Sequence, residues 1–342
     1  MPKELLKSVA YRSGALGLYH RLRNRRSLTV VSFHRILRED DPRWPTSDPD
    51  YTMPAHAFSA SLDFFRRHYN VVSLDQVLQA RRGTATLPPR ALLITFDDGW
   101  ADTAEVALPE LRRMGMPAVL FLVPDAVGRR EAFYQEQLVA AWRAGRLGIE
   151  ELEAALDAAG APRGSRPAAG PMDLDRLRGA IERVEAMAPG ERQAFLDGFR
   201  DRLSDGLRHM VDAAQLERLL DGGVAIGAHG KSHVRMTSPH ADPEVELGVA
   251  RAEVSRHARG QEVRTLSFPF GRYDERVLRA ARDAGYELMF TSVRVLNPVS
   301  PRLADLLGRT GFDAGNVLDA QGRFRPDWLA LYLFRPPLGT VA

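Results

Sequence analysis

The stretch that most restricts how this chain can fold is Ala91 to Trp100, ALLITFDDGW. Four apolar residues, a threonine and a phenylalanine suit a strand buried on both faces, and the run leads straight into two adjacent carboxylates and a glycine. Neighbouring aspartates repel each other and resist desolvation unless positive charge lies beside them. A metal cation is the simplest such charge; the plainer alternative is a strand followed by an Asp-Gly turn.

The rest of the chain repeats the strand pattern and alternates it with helices. Ser27 to Phe33 is a β-branched run that ends at His34, and Tyr69 to Leu74, Pro117 to Val123, Gly223 to Ala228, Val263 to Phe268 and Tyr286 to Thr291 read as further strands. Helices are predicted over Ala57 to Tyr69, from Asp75 (as cap) through Arg81, over Asp102 to Met114, over Asp242 to His257, and from a cap at Asp274 to Ala284. Strand, helix and strand in alternation argue for a parallel sheet, open or closed into a barrel. Residues 129–220 break the pattern. They are rich in Ala, Glu, Arg and Leu with one Pro/Gly break at Gly160 to Pro171, and read as a helical insertion without a chemistry-bearing constellation. The chain therefore divides into a basic amphipathic helix over 1–26, an α/β domain over 27–310 that carries the insertion, and a tail over 311–342.

Composition excludes several classes of function. The 342 residues include no cysteine, so disulfides and thiolate chemistry are out and any metal must be held by His and carboxylates. A formal charge of +3 is too slight an excess to indicate nucleic acid. No run of about 18 apolar residues would span a membrane. The N-terminal stretch lacks the apolar core of a secretory signal, which sets the expectation of the cytoplasm or its membrane face. Its Leu5, Leu6, Val9, Leu16 and Leu18, interleaved with Lys and Arg, suit a helix lying on an anionic membrane or packed on its own domain.

His229 and His233 follow the GVAIGA run in HGKSH. At that spacing two imidazoles can face one side, and with a carboxylate they make a common catalytic zinc set with positions left open for water and substrate. The remaining histidines His20, His56, His68, His209 and His240 fall in helical or polar stretches and read as solvated or capping.

Together TFDDGW, His229-x-x-x-His233 and SFPFGRYDERV resemble the polysaccharide deacetylase family, carbohydrate esterase family 4 with its NodB-homology domain, over about residues 27–125 and 208–292. The resemblance implies a distorted (β/α) barrel with a helical insertion, a divalent metal that is usually zinc (Zn2+), and removal of an acetyl group from an N-acetylated sugar. By position Asp97 resembles the general base, and Asp98, His229 and His233 the metal ligands. Many members carry their acid in a late Leu-x-x-His motif, which this chain lacks, its last histidine being His257. Members with permuted strand order place a histidine in a VxxYH-like context on the first strand. VVSFH resembles it, which makes His34 the expected acid. Trp100, Pro269, Phe270 and Gly271 are expected to line the substrate cleft, and the Phe270 backbone N–H could serve an oxyanion.

The chain departs from the family pattern in three places. Gly230 replaces a usual Ser or Thr, with Ser232 as a substitute anchor; Phe270 replaces a usual Tyr; and the late stretch lacks the arginine that orients the base, for which Arg309 is a candidate. Two other readings fit the same residues. One is a deformylase or deacylase of a lipid-linked amino sugar, motivated by the basic N-terminal helix. The other is a non-catalytic carbohydrate-binding protein, motivated by the missing late histidine.

Overall fold

The protein is described here from a computed structural model over residues 2–162, 173–300 and 302–341. Parallel strands β1 (Ser27–Phe33), β2 (Ala91–Phe96), β3 (Ala118–Leu122), β4 (Val224–Ala228), β5 (Thr265–Ser267), β6 (Leu288–Phe290), β7 (Leu306–Leu307) and β8 (Thr310–Gly311) pair in the order β8-β1-β2-β3-β4-β5-β6-β7. Only Gly308 and Arg309 separate β7 from β8, so one short segment pairs with both edges of the sheet. The result is a nearly closed, barrel-like α/β fold. Asn297 fixes the seam: its amide donates to the Gly308 carbonyl and accepts from the Gly308 N–H, both at 2.9 Å. Gly308 lies flush against Val293, whose carbonyl oxygen would be 2.3 Å from any added Cβ.

The strands are buried on both faces, as their unbroken apolar runs require. Alternation splits them between two cores. Leu28, Val30, Leu93, Val119, Phe121 and Phe290 fill the inside of the barrel, whereas Val31, Phe33, Ile94, Phe96 and Leu120 face the surrounding helices. Each such side chain contributes about 1.5–3 kcal/mol by leaving water. The same period of two carries forward at the strand ends. Counting by twos from Val30 and Leu93 reaches His34 and Asp97, so the alternation that fills the barrel also places them at its mouth.

The structure differs from the sequence expectations mainly at element ends. Ser73, not Asp75, caps helix α3 (Leu74–Arg82), because Ser73 and Gln76 exchange side-chain and backbone bonds in a capping box. The helices expected over 102–114 and 242–257 each open with a π-turn, Thr103–Ala107 and Val245–Val249. Within the insertion, helices α4 (Tyr134–Arg143) and α5 (Asp173–Ala186) join others around a separate core that includes Leu138, Leu152, Leu177, Val184 and Leu196. Most of the Pro/Gly break at 160–171 lies outside the described residues.

The two chain ends pack together instead of trailing. N-terminal helices α1 (Pro2–Arg12) and α2 (Ala15–Arg23) rest on a C-terminal helix α6 (Pro326–Phe334) within the stretch expected as a tail. His20 is buried rather than solvated: its ring stacks on Phe334 at 4.0 Å, and its nitrogens meet the Asn24 side chain at 2.9 Å and the His68 carbonyl at 3.2 Å. His209 is likewise buried, against Asp205 at 2.9 Å.

Burial pushes the His20 imidazole down to about 3 and that of His68 to about 4. Between those values and the unfolded value near 6.5 the unfolded chain binds more protons, so stability rises with pH and is lost on acidification. Lowering the pH from 7 to 5 should therefore weaken this region by about 2 kcal/mol through His20 alone. Hydrogen exchange of residues 15–23 and 326–334 is the readout, and His20→Leu should flatten its pH dependence.

Candidate metal centre and catalytic cleft

The register of β1 and β2 sets the first part of the site. Phe33 pairs with Phe96, and the Asp97 N–H donates to the Phe33 carbonyl at 3.1 Å, which brings His34 and Asp97 to adjacent strand ends. Asp97 is 2% exposed and meets a guanidinium edge to edge: Arg309 donates to Oδ1 and to Oδ2, each at 2.7 Å. Arg309 also donates to Thr95 Oγ1, Ser267 Oγ and the Thr291 carbonyl at 3.3, 2.8 and 3.2 Å. All five of its N–H groups are thus bonded. Burial would raise the Asp97 carboxyl, but the charges of Arg309, His229 and His34 hold it below the ordinary carboxylate range.

Asp98 turns the other way, in a left-handed backbone conformation with φ of 77°. Its Oδ1 lies 3.2 Å from His229 Nε2 and 3.2 Å from His233 Nε2, and its Oδ2 accepts from Trp100 Nε1 at 2.9 Å. His229 Nδ1 donates to the Ser267 carbonyl at 2.8 Å, which leaves the Nε2 lone pair facing the cleft. One ligand atom from each of Asp98, His229 and His233 lies within 4.8 Å of the others. Two imidazole nitrogens and one carboxylate oxygen converge, one of the rings has its tautomer fixed, and the spare carboxylate oxygen is held. That donor set fits a divalent cation.

Strain gathers at the same place. Five described non-glycine residues have positive φ, and Asp98, His233 (62°) and Phe270 (59°) are three of them. The loop that carries the two histidines is held by Glu246, on the second π-turn: Oε2 accepts the Lys231 and Ser232 N–H groups at 2.9 and 3.0 Å, and Oε1 the Ser232 hydroxyl at 2.6 Å. Ser232 thus ties down the loop in which Gly230 takes a φ of 70°; an added Cβ there would come within 3.0 Å of Met236 and 3.3 Å of Pro269.

His34, Asp97, Asp98, Trp100, His229, His233, Phe270 and Gly271 all border one cleft of about 340 Å3. Pro269 does not: it is buried behind the metal-site loop against Gly230. Trp100 is only 2% exposed, with Arg35 stacked 4.6 Å from its ring centre. Arg35 in turn donates to the buried Asp102 at 3.1 Å, so the indole is a prop for Asp98 more than an open platform. His34 stands edge-on to Tyr51 at 5.0 Å, and burial pushes its imidazole down against the pull of Asp98 and Asp97.

The insertion, read as chemically silent, supplies a wall of the cleft with Phe133, Glu136, Arg178, Glu182 and Glu185. Helix α5 is tied across the mouth by Arg178 to Asp48 and Asp50 at 3.1 and 2.7 Å, and by Glu185 to Arg235 at 2.8 Å. No periodicity announced these residues, because their partners lie on other elements.

Replacing Arg309 by Met would leave Asp97 buried and uncompensated. Arg309→Met should destabilise the fold by about 3–5 kcal/mol, and adding Asp97→Asn should restore most of that loss. Urea unfolding of the single and double variants measures both.

The polysaccharide deacetylase family model matches residues 84–151 and 195–289, on either side of the middle of the insertion. The curated polysaccharide deacetylase homologue YxkH of Bacillus subtilis (strain 168) is 37% identical over 49 residues, 14% of this chain, and the match spans only 18% of that relative. Among solved structures, Streptococcus pyogenes deacetylase PplD in complex with acetate superposes with a TM-score of 0.56 at 14% identity, covering 91% of this chain and all (100%) of that one. IcaB from Ammonifex degensii gives 0.56 at 17% identity, over 90% and 97% of the two chains. In fold and in matched sequence, the chain is similar to the polysaccharide deacetylase family, whose model covers just under half of it.

Proposed function

We propose that the protein is a metal-dependent hydrolase that removes the acetyl group from an N-acetylated sugar of a polysaccharide, oligosaccharide or glycan precursor. The observation that carries this reading is the division of two adjacent carboxylates: Asp97 is committed to Arg309 and borders His34, while Asp98 is committed to two histidines. Asp98, His229 and His233 would hold the cation, and zinc is the proposed ion because it suits a set of two imidazoles and one carboxylate. When bound, such an ion polarises the acyl oxygen and acidifies water.

The protein's own residues then move the protons. Asp97, kept ionised by Arg309, takes a proton from the attacking water. Arg309 keeps both carboxylate oxygens fixed in direction, so that the base meets the water without reorganising. His34, at the neighbouring strand end, is the proposed donor of the proton that the leaving amine requires. Phe270 and Gly271 border the cleft on the side of His233.

Acetate release from acetylated glucosamine oligomers, together with metal analysis, tests the assignment. Asp97→Asn should retain the metal and lose about 10²–10⁴ in kcat; His34→Ala should lower kcat with little change in KM. Equal metal content and undiminished turnover in both variants would rule these roles out. The formyl group of a lipid-linked amino sugar is the second reading, favoured by the exposed apolar face of the N-terminal helices. Formate in place of acetate among the products identifies it.

Glu136 adds a pH signature. Burial, with Asp48 next, pushes its carboxyl up to about 7. The folded chain keeps that proton where the unfolded chain loses it near 4.5, so stability falls as pH rises through this window. Glu136→Gln should remove the slope and stabilise the protein by about 3 kcal/mol at pH 8, measured by thermal unfolding across pH.

A further inference from the structure

Helices α1 and α2 each have a covered and an uncovered side. Tyr11 and Leu16 pack on the main core and His20 is buried. Leu5, Leu6, Val9, Leu18 and Leu22 point away and are between 53% and 73% exposed. They account for five of the twelve exposed large hydrophobic side chains among the described residues, within a stretch of eighteen. Soluble surfaces scatter such residues singly, so a cluster marks a contact surface.

The two helices carry the same pattern. Leu5, Val9 and Arg12 follow at i, i+4 and i+7 on α1, and Leu18 and Leu22 at i and i+4 on α2, with Arg25 in the turn just past its end, so each apolar pair is followed by an arginine. Arg12, Arg21, Arg25 and Arg26 are all exposed. Glu4 is the one acidic residue in the first 26, and it is occupied by Lys7 at 2.6 Å and the Trp328 indole N–H at 2.7 Å. The face is therefore apolar, cationic and without a negative counterpart of its own.

We propose that the outer face of α1 and α2 docks the protein on an anionic lipid bilayer. The leucines and Val9 enter the boundary between headgroups and acyl chains, and the arginines meet the anionic headgroups. Charge decides between this occupant and a second copy of the chain. A twofold interface would set four arginines of one copy against the same four of the other, whereas an anionic bilayer neutralises all of them. None of these residues borders the cleft, so docking and turnover are separable.

The test is sedimentation of the whole chain with vesicles of phosphatidylcholine alone, and with about a third of the lipid replaced by phosphatidylglycerol. Binding should require the anionic lipid, fall steeply as salt approaches about 1 M, and drop about tenfold or more in Leu6→Glu/Leu22→Glu. The Arg21→Gln/Arg25→Gln variant should lose binding while its apolar face is intact. Acetate release from soluble oligomers should stay unchanged in both variants, which keeps this test independent of the deacetylase reading. Absence of binding to anionic vesicles would overturn the proposal. So would equal binding by wild type and both variants, or a dimer in sedimentation velocity that Leu6→Glu/Leu22→Glu dissolves while vesicles leave the wild type in solution.

Discussion

A single buried ion pair, Arg309 with Asp97, holds the site to the fold. Two charges this deeply enclosed are costly to desolvate, and the cost is offset only when geometry is good and every donor is used. Here the guanidinium meets the carboxylate edge to edge and spends its other N–H groups on Thr95, Ser267 and Thr291, which belong to or follow three different strands. The pair spans 212 residues of sequence. It exists because the barrel closes between β7 and β8, and Arg309 occupies the crossing between those strands.

Much of this was legible in the residues. The buried runs of β1 to β4 announced themselves by composition, because a strand covered on both faces has no polar alternation to hide it. TFDDGW and the two histidines identified the carboxylates and imidazoles that the structure brings together. Less visible was anything whose meaning lies in a partner distant in sequence. Arg309 stood out only as a candidate to fill a vacancy, Glu246 looked like one more helix residue, and Glu136 and Arg178 were lost in a charged helical insertion. His20 was read as solvated or capping because it falls in a basic amphipathic stretch, yet the aromatic partner that buries it, Phe334, lies at the other end of the chain. Pro269 sits in the expected turn, but the turn faces Gly230 with its proline and the cleft with Phe270.

The insertion gives the cleft its particular character. A barrel mouth ringed by Asp97, Asp98 and the histidines would be open to solvent on one side; α5 is tied across that side by ion pairs at its middle, through Arg178, and near its C-terminal end, through Glu185. These links join the insertion to the loop after β1 and to the loop after β4, the same two segments that carry His34 and His233. A ligand that reaches Asp98, His229 and His233 must pass beneath a surface that includes Glu136, Arg178, Glu182 and Glu185. Arg178, Glu182 and Glu185 lie between the two segments matched by the family model, whereas Glu136 lies inside the first.

The seam carries one more consequence. A strand that slips by a single residue turns each side chain to the opposite face. Strands β7 and β8 are only two residues long, so pairing alone would hold their register weakly; Asn297 and the flush contact of Gly308 with Val293 do most of that work. A one-residue insertion between Leu307 and Thr310 would swing Arg309 out of the interior and leave nearly all of the buried apolar surface in place. Asp97 would then take up a proton, and the chain would be folded and inert. Misregistration at this seam is the one folding error that bulk measures of structure would pass and the chemistry would not.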